Sequence, residues 1–158
     1  MSETEQEARR VDILLAEDNP DDVELALHAF RKNNLANAVH IVGDGAEALD
    51  FVFCRGAYAG RSFDDPPKML LLDLKMPLVD GLEVLQAVRA DPLTRLIPVV
   101  MMTASHEERD RVESYALGVN SYIVKPLDFD QFVDAMRLVG MYWLLVNQPA
   151  PIPWLSAG

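Results

Sequence analysis

The sequence predicts an open α/β domain: five short parallel strands in the order 2-1-3-4-5, with helices wound over both faces. Three observations carry this. Short leucine- and valine-rich runs alternate with stretches of helical periodicity. The runs are nearly continuous in apolar residues, as strands covered on both faces should be. Capping residues stand before several of the helical stretches. At 158 residues the chain fits one domain, long enough to bury a core without disulfides or metals.

The first strand spans Val11 to Ala16. Asn19 caps the first helix, with Pro20 at its first position and Asp21 and Asp22 in its first turn, where carboxylates meet the positive end of the helix dipole. Val23, Leu27 and Phe30 are its expected buried stripe. Val39 to Val42 is the second strand, Asp44-Gly45 reads as a turn, and Ala46 to Phe53 forms the second helix with Leu49 and Phe53 inward. A loop rich in Gly, Arg and Asp runs from Cys54 to Pro67. Lys68 to Asp73 is the most hydrophobic run and is expected at the centre of the sheet. Pro77 and Gly81 bracket the next loop, before a third helix from Leu82 to Ala90. Ile97 to Thr103 is the fourth strand. Ser105 with Glu108 forms a capping box for a fourth helix ending near Gly118. Ser121 to Val124 is the fifth strand, and Asp128 with Gln131 opens a last helix with a second capping box. That helix is expected to run to about Asn147, roughly 30 Å at 1.5 Å per residue.

Composition bounds the function. Half the residues are apolar, so a packed core is expected. Cys54 is the single cysteine, which rules out an intrachain disulfide and fits a reducing compartment. Residues 1–10 are polar and acidic, expected to be disordered, and lack the apolar core of a signal peptide. No apolar run approaches the ~20 residues of a membrane span. A soluble, cytoplasmic protein is expected. The net charge of −11 repels phosphate backbones and argues against nucleic acid as a direct partner.

Ligands of open α/β sheets sit beyond the carboxyl ends of the strands. There the first strand delivers Glu17 and Asp18, the third Asp73, the fourth Thr103, and the fifth Lys125 followed by Pro126. Each has an ordinary structural explanation alone, as a turn residue, a strand end or a surface charge. Together they make coherent chemistry. Three crowded carboxylates demand a cation, and an all-oxygen site suits Mg2+. Asp73 can act as a nucleophile on a phosphoryl group, while Lys125 and Mg2+ neutralise the phosphoryl oxygens and Thr103 donates to one of them. No separate base is needed, because a carboxylate is already ionised at neutral pH.

The pattern resembles the receiver domain of two-component response regulators, whose fold is flavodoxin-like. The matching stretches are Leu14 to Asn19, Leu71 to Pro77 with Asp80-Gly81, Val100 to Ala104, and Tyr122 to Pro126, in order and at similar spacing over about residues 10–146. The resemblance implies roles. Asp73 is the phosphoacceptor, and Glu17 and Asp18 are the acidic pair, with Asp18 the direct Mg2+ ligand. The backbone carbonyl of Lys75 is a further metal ligand. Thr103 and Tyr122 form the switch pair, Lys125 is the family's lysine, and the Lys125–Pro126 peptide bond is cis. Glu17 stands where many members carry Asp, which leaves open whether it reaches metal directly or through water. Such a protein is not an enzyme in the ordinary sense; it catalyses only its own phosphotransfer and dephosphorylation. Its partner is a sensor histidine kinase.

The long loop with Tyr58 and Pro66-Pro67, the extended last helix with Trp143 and the Pro-rich end are similar to small stand-alone regulators paired with phytochrome-type kinases. The implied organisation is a receiver over residues 11–147 and a Pro-rich tail over 148–158, with no room for an output domain. The last helix is apolar nearly all round, and with Trp154 in the tail this predicts a homodimer through helix and tail. Two other readings compete. A dehalogenase-type phosphatase needs an acid two residues after the nucleophile, where Lys75 stands. A pseudo-receiver that works without phosphate would lack Asp73 or Lys125, and both are present. Cys54 is expected to be a small buried or half-buried hydrophobe, and His28, His40 and His106 lack metal-ligand spacing; the first two are expected on element surfaces.

Overall fold

The most apolar runs become strands that are buried on both faces, while Val39–Val42 is only partly covered. The computed structural model describes residues 12–32 and 39–138. Within them the elements are β1 (Ile13–Ala16), α1 (Pro20–Lys32), β2 (Val39–Val42), α2 (Gly45–Val52), a 3-10 turn (Gly56–Tyr58), β3 (Met69–Asp73), α3 (Gly81–Ala90), β4 (Val99–Thr103), α4 (His106–Glu113), β5 (Ser121–Val124) and α5 (Phe129–Leu138). The sheet is parallel, in the order β2-β1-β3-β4-β5, with β3 at its centre. Both expectations of the sequence hold.

Alternation along the strands sends side chains to two cores. Leu14, Leu70, Leu72 and Met101 pack with Phe51 and Val52 of α2, Leu85 and Val88 of α3, and Val112 of α4. Ile13, Leu15, Leu71 and Met102 pack with Ala26, Ala29 and Phe30 of α1 and Phe132 and Ala135 of α5. Phe30 and Phe132 meet edge to face at 5.9 Å, which joins the two helices of the second layer. The register puts Ala16 beside Leu72, Asp73 beside Met102 and Thr103 beside Val124. The carboxyl ends of four strands are therefore level, which makes one rim out of residues far apart in sequence.

Several local expectations are corrected. In α1 the fully buried residues are Ala26, Ala29 and Phe30, while Val23 and Leu27 are half-buried at the flank. In α2, Phe51 and Val52 are the buried pair, and Leu49 and Phe53 lie partly covered beside them. Asp44-Gly45 is the start of α2 rather than a free turn: the Asp44 carboxylate accepts the Glu47 N–H at 2.7 Å. α4 ends at Glu113, five residues short of Gly118. Its Ser105 cap accepts from Glu108 N–H, but the Glu108 side chain turns away to the Ala104 N–H instead of closing the box. At α5, Asp128 accepts the Gln131 N–H, and the Gln131 amide donates to Asp128 and to the Pro126 carbonyl. Residues 1–10, the last helix beyond Leu138, Trp143, the tail with Trp154 and the dimer surface predicted there lie outside the described residues.

One close approach shapes the rim. A Cβ at Gly81 would stand 2.4 Å from the Asp73 carbonyl oxygen and 3.0 Å from Leu74 Cα, all backbone atoms that cannot rotate away. Gly81 N–H also donates to Leu74 O at 2.8 Å. The loop from Leu74 to Asp80 therefore closes directly onto the residue it follows. Gly81→Ala is expected to destabilise the fold by about 1–3 kcal/mol through overpacking, read as a lower urea midpoint with unchanged slope.

Candidate functional site

The rim gathers four carboxylates around one ammonium. Glu17 leaves the end of β1 with its N–H bonded to Val42 O, so its side chain turns inward and is fully buried. Asp73 ends β3 and is 6% exposed, while Asp18 is exposed. Carboxylate oxygens of Glu17, Asp18 and Asp73 all lie within 4.8 Å of one another. Lys125 follows β5, where its N–H bonds Thr103 O at 2.7 Å and the next peptide bond, to Pro126, is cis. Its Nζ lies 2.9 Å from Glu17 Oε1, 3.1 Å from Asp73 Oδ2 and 2.8 Å from Asp22 Oδ2.

Crowding sets the protonation. Burial pushes the Glu17 carboxyl up to about 8, helped by a hydrogen bond to Asp73 and by its charge, and opposed by Lys125. One ammonium is shared among several carboxylates and cannot neutralise each of them. Burial alone would lower Lys125, but its hydrogen bonds to Asp22 and Glu17 and the charge of Asp73 outweigh this and raise it, so it stays charged.

The donor set fits a hard divalent cation: three carboxylates, two of them buried, with a surplus of negative charge that the chain's own lysine does not cancel. A second feature fits an anionic oxygen close by. Thr103 is fully buried, and its hydroxyl finds no hydrogen-bond partner among the described residues. An unsatisfied buried hydroxyl costs about 1–3 kcal/mol, a cost that an anionic oxygen bound beside it would relieve.

Comparison with known proteins agrees with the geometry. The family model described as the response regulator receiver domain matches residues 13–137. The chain belongs to that family. Among curated relatives, a probable methanogenesis regulatory protein, FilR2 of Methanothrix harundinacea, is 38% identical over 140 residues, covering 88% of this chain and 88% of its own. Response regulator Rcp1 of Synechocystis is 34% identical over 139 residues, covering 87% and 92%. Among solved structures, the bacteriophytochrome response regulator RtBRR superposes with a TM-score of 0.80 at 49% identity, covering 90% of this chain and 85% of its own. The phosphorylated cyanobacterial phytochrome response regulator RcpA gives 0.68 at 35%, covering 90% and 99%. The Mn2+-bound form of Rcp1 gives 0.67 at 32%, covering 87% and 98%.

The remaining predicted residues of this receiver surround the cluster at different distances. Thr103 and Tyr122 point to the same face of the sheet by strand alternation, with Tyr122 one step further from the rim, beside Met101. Tyr122 is half-buried, carries the Arg109 guanidinium 4.9 Å from its ring centroid, and is pushed up to about 12 by burial and by Glu113. The Lys75 side chain points away from the cluster and pairs with Glu108 at 3.0 Å. Glu108 also accepts the Ala104 N–H at 2.6 Å. Burial alone would raise the Glu108 carboxyl, but that N–H and then Lys75 hold it below its ordinary value. No described helix is long and apolar enough to cross a membrane.

Sequence reasoning missed two charged partners, Asp22 on Lys125 and Glu108 on Lys75. Asp22 looked explained by the helix dipole and Glu108 by the capping box, so neither left a signal unaccounted for. His40 is a further correction. It is not a surface histidine: its ring stacks on Phe51 at 4.8 Å and its Nε2 lies 2.9 Å from the Tyr58 hydroxyl. That hydroxyl donates to Glu47 at 2.7 Å, so the imidazole N–H is the donor to Tyr58.

The raised Glu17 carboxyl makes the metal-free protein pH-sensitive. Its folded value of about 8 lies above the ordinary 4.5, so the native state holds a proton that the unfolded chain gives up. Stability from this group is present below pH 4.5 and is lost as pH rises through 8. In chelator, wild type is expected to lose more stability than Glu17→Gln between pH 5.5 and 8.5. Urea unfolding at both values checks this; parallel losses would contradict it.

Proposed function

We propose that the chain is a single-domain response regulator that accepts a phosphoryl group from a histidine kinase onto Asp73, in a Mg2+-dependent reaction. The observation that carries this is the meeting of the Glu17, Asp18 and Asp73 carboxylates with Lys125 Nζ 3.1 Å from Asp73 Oδ2. An Asp73 oxygen attacks the phosphorus of a phosphohistidine. The O–P bond forms as the N–P bond breaks, and the imidazole leaves with the electron pair and takes a proton from solvent. Lys125 faces the oxygens on which charge gathers, and the unpartnered Thr103 hydroxyl donates to one of them. Asp18, Asp73, the Lys75 carbonyl and Glu17, directly or through water, would hold Mg2+, which would supply further positive charge at the same oxygens. The relative Rcp1 was solved with Mn2+ and RcpA as the phosphorylated protein, which supports both parts of the reading. Water attack on the aspartyl phosphate returns the Asp73 carboxylate and inorganic phosphate, and Thr103 and Tyr122 report the state of Asp73 to the α4 side of the sheet.

The names of RtBRR and RcpA, a bacteriophytochrome and a phytochrome response regulator, support a kinase of the phytochrome type and a light-sensing pathway, and with it a cytoplasmic location. The presence of both Asp73 and Lys125 in one cluster speaks against a phosphate-independent pseudo-receiver. Incubation with acetyl phosphate and Mg2+ is expected to add the mass of one phosphoryl group to wild type and none to a folded Asp73→Asn variant. Equal labelling of that variant would contradict the assignment.

A homodimer through the last helix and the tail remains part of this reading, supported by sequence alone. Sedimentation is expected to find a dimer before phosphorylation, weakened by truncation after Asn147. A chain that stays monomeric at about a hundred micromolar, well above a micromolar-class dissociation constant, would refute it.

A further inference from the structure

Lys125 has three N–H donors and three carboxylate partners, one from each of three segments. Two of the partners, Glu17 and Asp73, belong to the cluster close enough to share a cation. The third, Asp22, does not. It stands in the first turn of α1, on a helix whose start is fixed by Pro20 and by the Asn19 side chain accepting the Asp21 N–H at 2.9 Å. Its contact to Lys125, at 2.8 Å, is shorter than the other two.

A lysine and a divalent cation compete for the same oxygens, and at a few ångströms they also repel each other. An ammonium held only by Glu17 and Asp73 would have to surrender both to admit a cation. It would then either block the site or swing out to solvent, and its side chain is already 20% exposed. A carboxylate outside the cluster removes that conflict.

We propose that Asp22 is a positioning residue for Lys125: it seats the ammonium beside the cation cluster, so that a divalent cation can take Glu17 and Asp73 while Lys125 stays at the rim. This rests on the reading of the rim as a Mg2+-dependent phosphoacceptor site. Asp22 touches neither the cation nor the phosphoryl group; it acts through Lys125. With Asp22 neutralised, the ammonium falls back on Glu17 and Asp73 and competes with the cation for them.

The role is separable from a mere field effect of one negative charge. Field effects act whether or not Lys125 is present, whereas seating requires it. The test is a double-mutant cycle read by calorimetric Mg2+ titration of the full chain: wild type, Asp22→Asn, Lys125→Met and the double variant, each checked for its fold by circular dichroism. Asp22→Asn alone is expected to weaken Mg2+ binding roughly three- to tenfold, within the usual range of coupling between contacting residues. In the Lys125→Met background the same substitution is expected to have a clearly smaller effect. Lys125→Gln takes the place of Lys125→Met if that variant does not fold. Equal effects in the two backgrounds, or no effect of Asp22→Asn in either, would overturn the proposal. A wild-type chain that binds no Mg2+ would sink the reading of the rim itself, and this inference with it.

Discussion

Lys125 Nζ is the point on which the rim converges. It touches oxygens delivered by the turn after β1, the first turn of α1 and the end of β3, while Lys125 itself follows β5. In the sheet β5 pairs only with β4, and two strands separate it from β1. The ammonium therefore joins an edge strand to the middle of the sheet through side chains alone. Removing the ammonium from such a cluster would leave the buried carboxylates uncompensated, which is why breaking a buried ion pair costs more than the pair contributes. The requirement reaches back into the fold. The rim exists only because the parallel register makes the strand ends level, and the register is held by β1, β3 and β4, which are buried on both sides.

That dependence explains what could be read from the sequence. Strand identity follows from local facts, namely apolar runs too continuous for a half-exposed sheet and helices that begin on Asn19, Ser105 and Asp128. The site residues were legible because topology delivers strand ends to one place whatever lies between them. What escaped was every contact whose reason lies in a distant segment. Asp44-Gly45 has the letters of a turn, yet a Cβ at Gly45 would stand 1.9 Å from the Val79 carbonyl oxygen, and nothing near Gly45 in sequence announces that. His40 on β2 reads as a surface residue until the loop after α2 brings Tyr58 to it. Asp22 and Glu108 each had a sufficient local reason, and a residue already explained attracts no second explanation.

The same cluster shows how the chain tolerates its own charge. Glu17 is a fully buried carboxyl that faces Lys125 with both oxygens, at 2.9 and 3.2 Å, and still holds a proton to about pH 8. A proton is one answer to four carboxylates and one ammonium, and a divalent cation is the other. Because a metal ligand must be deprotonated, a cation held directly by Glu17 in the proposed site would displace that proton. The longer side chain at this position matters here. It reaches Lys125 while Asp18, exposed beside it, is left without that engagement.

The loops around Asp73 are bound together on one side and open on the other. On the outer side, Lys75, two residues past Asp73, pairs with Glu108, and Glu108 holds the N–H of Ala104. On the inner side, the hydroxyl of Thr103, the residue before Ala104, is buried with no partner among the described residues. An oxygen attached to Asp73 would give that hydroxyl an acceptor. Satisfying it would draw Thr103 inward, and Ala104 with it by a covalent bond. The Ala104 N–H is short-bonded to Glu108, and Glu108 stands in the first turn of α4. A shift at Thr103 therefore cannot remain local: it either lengthens the Glu108 contact or carries the start of α4 along. On the proposed reading, the Thr103 hydroxyl and the Lys75–Glu108 pair would be two ends of one linkage, connecting a phosphoryl group on Asp73 to a helix on the surface of the domain.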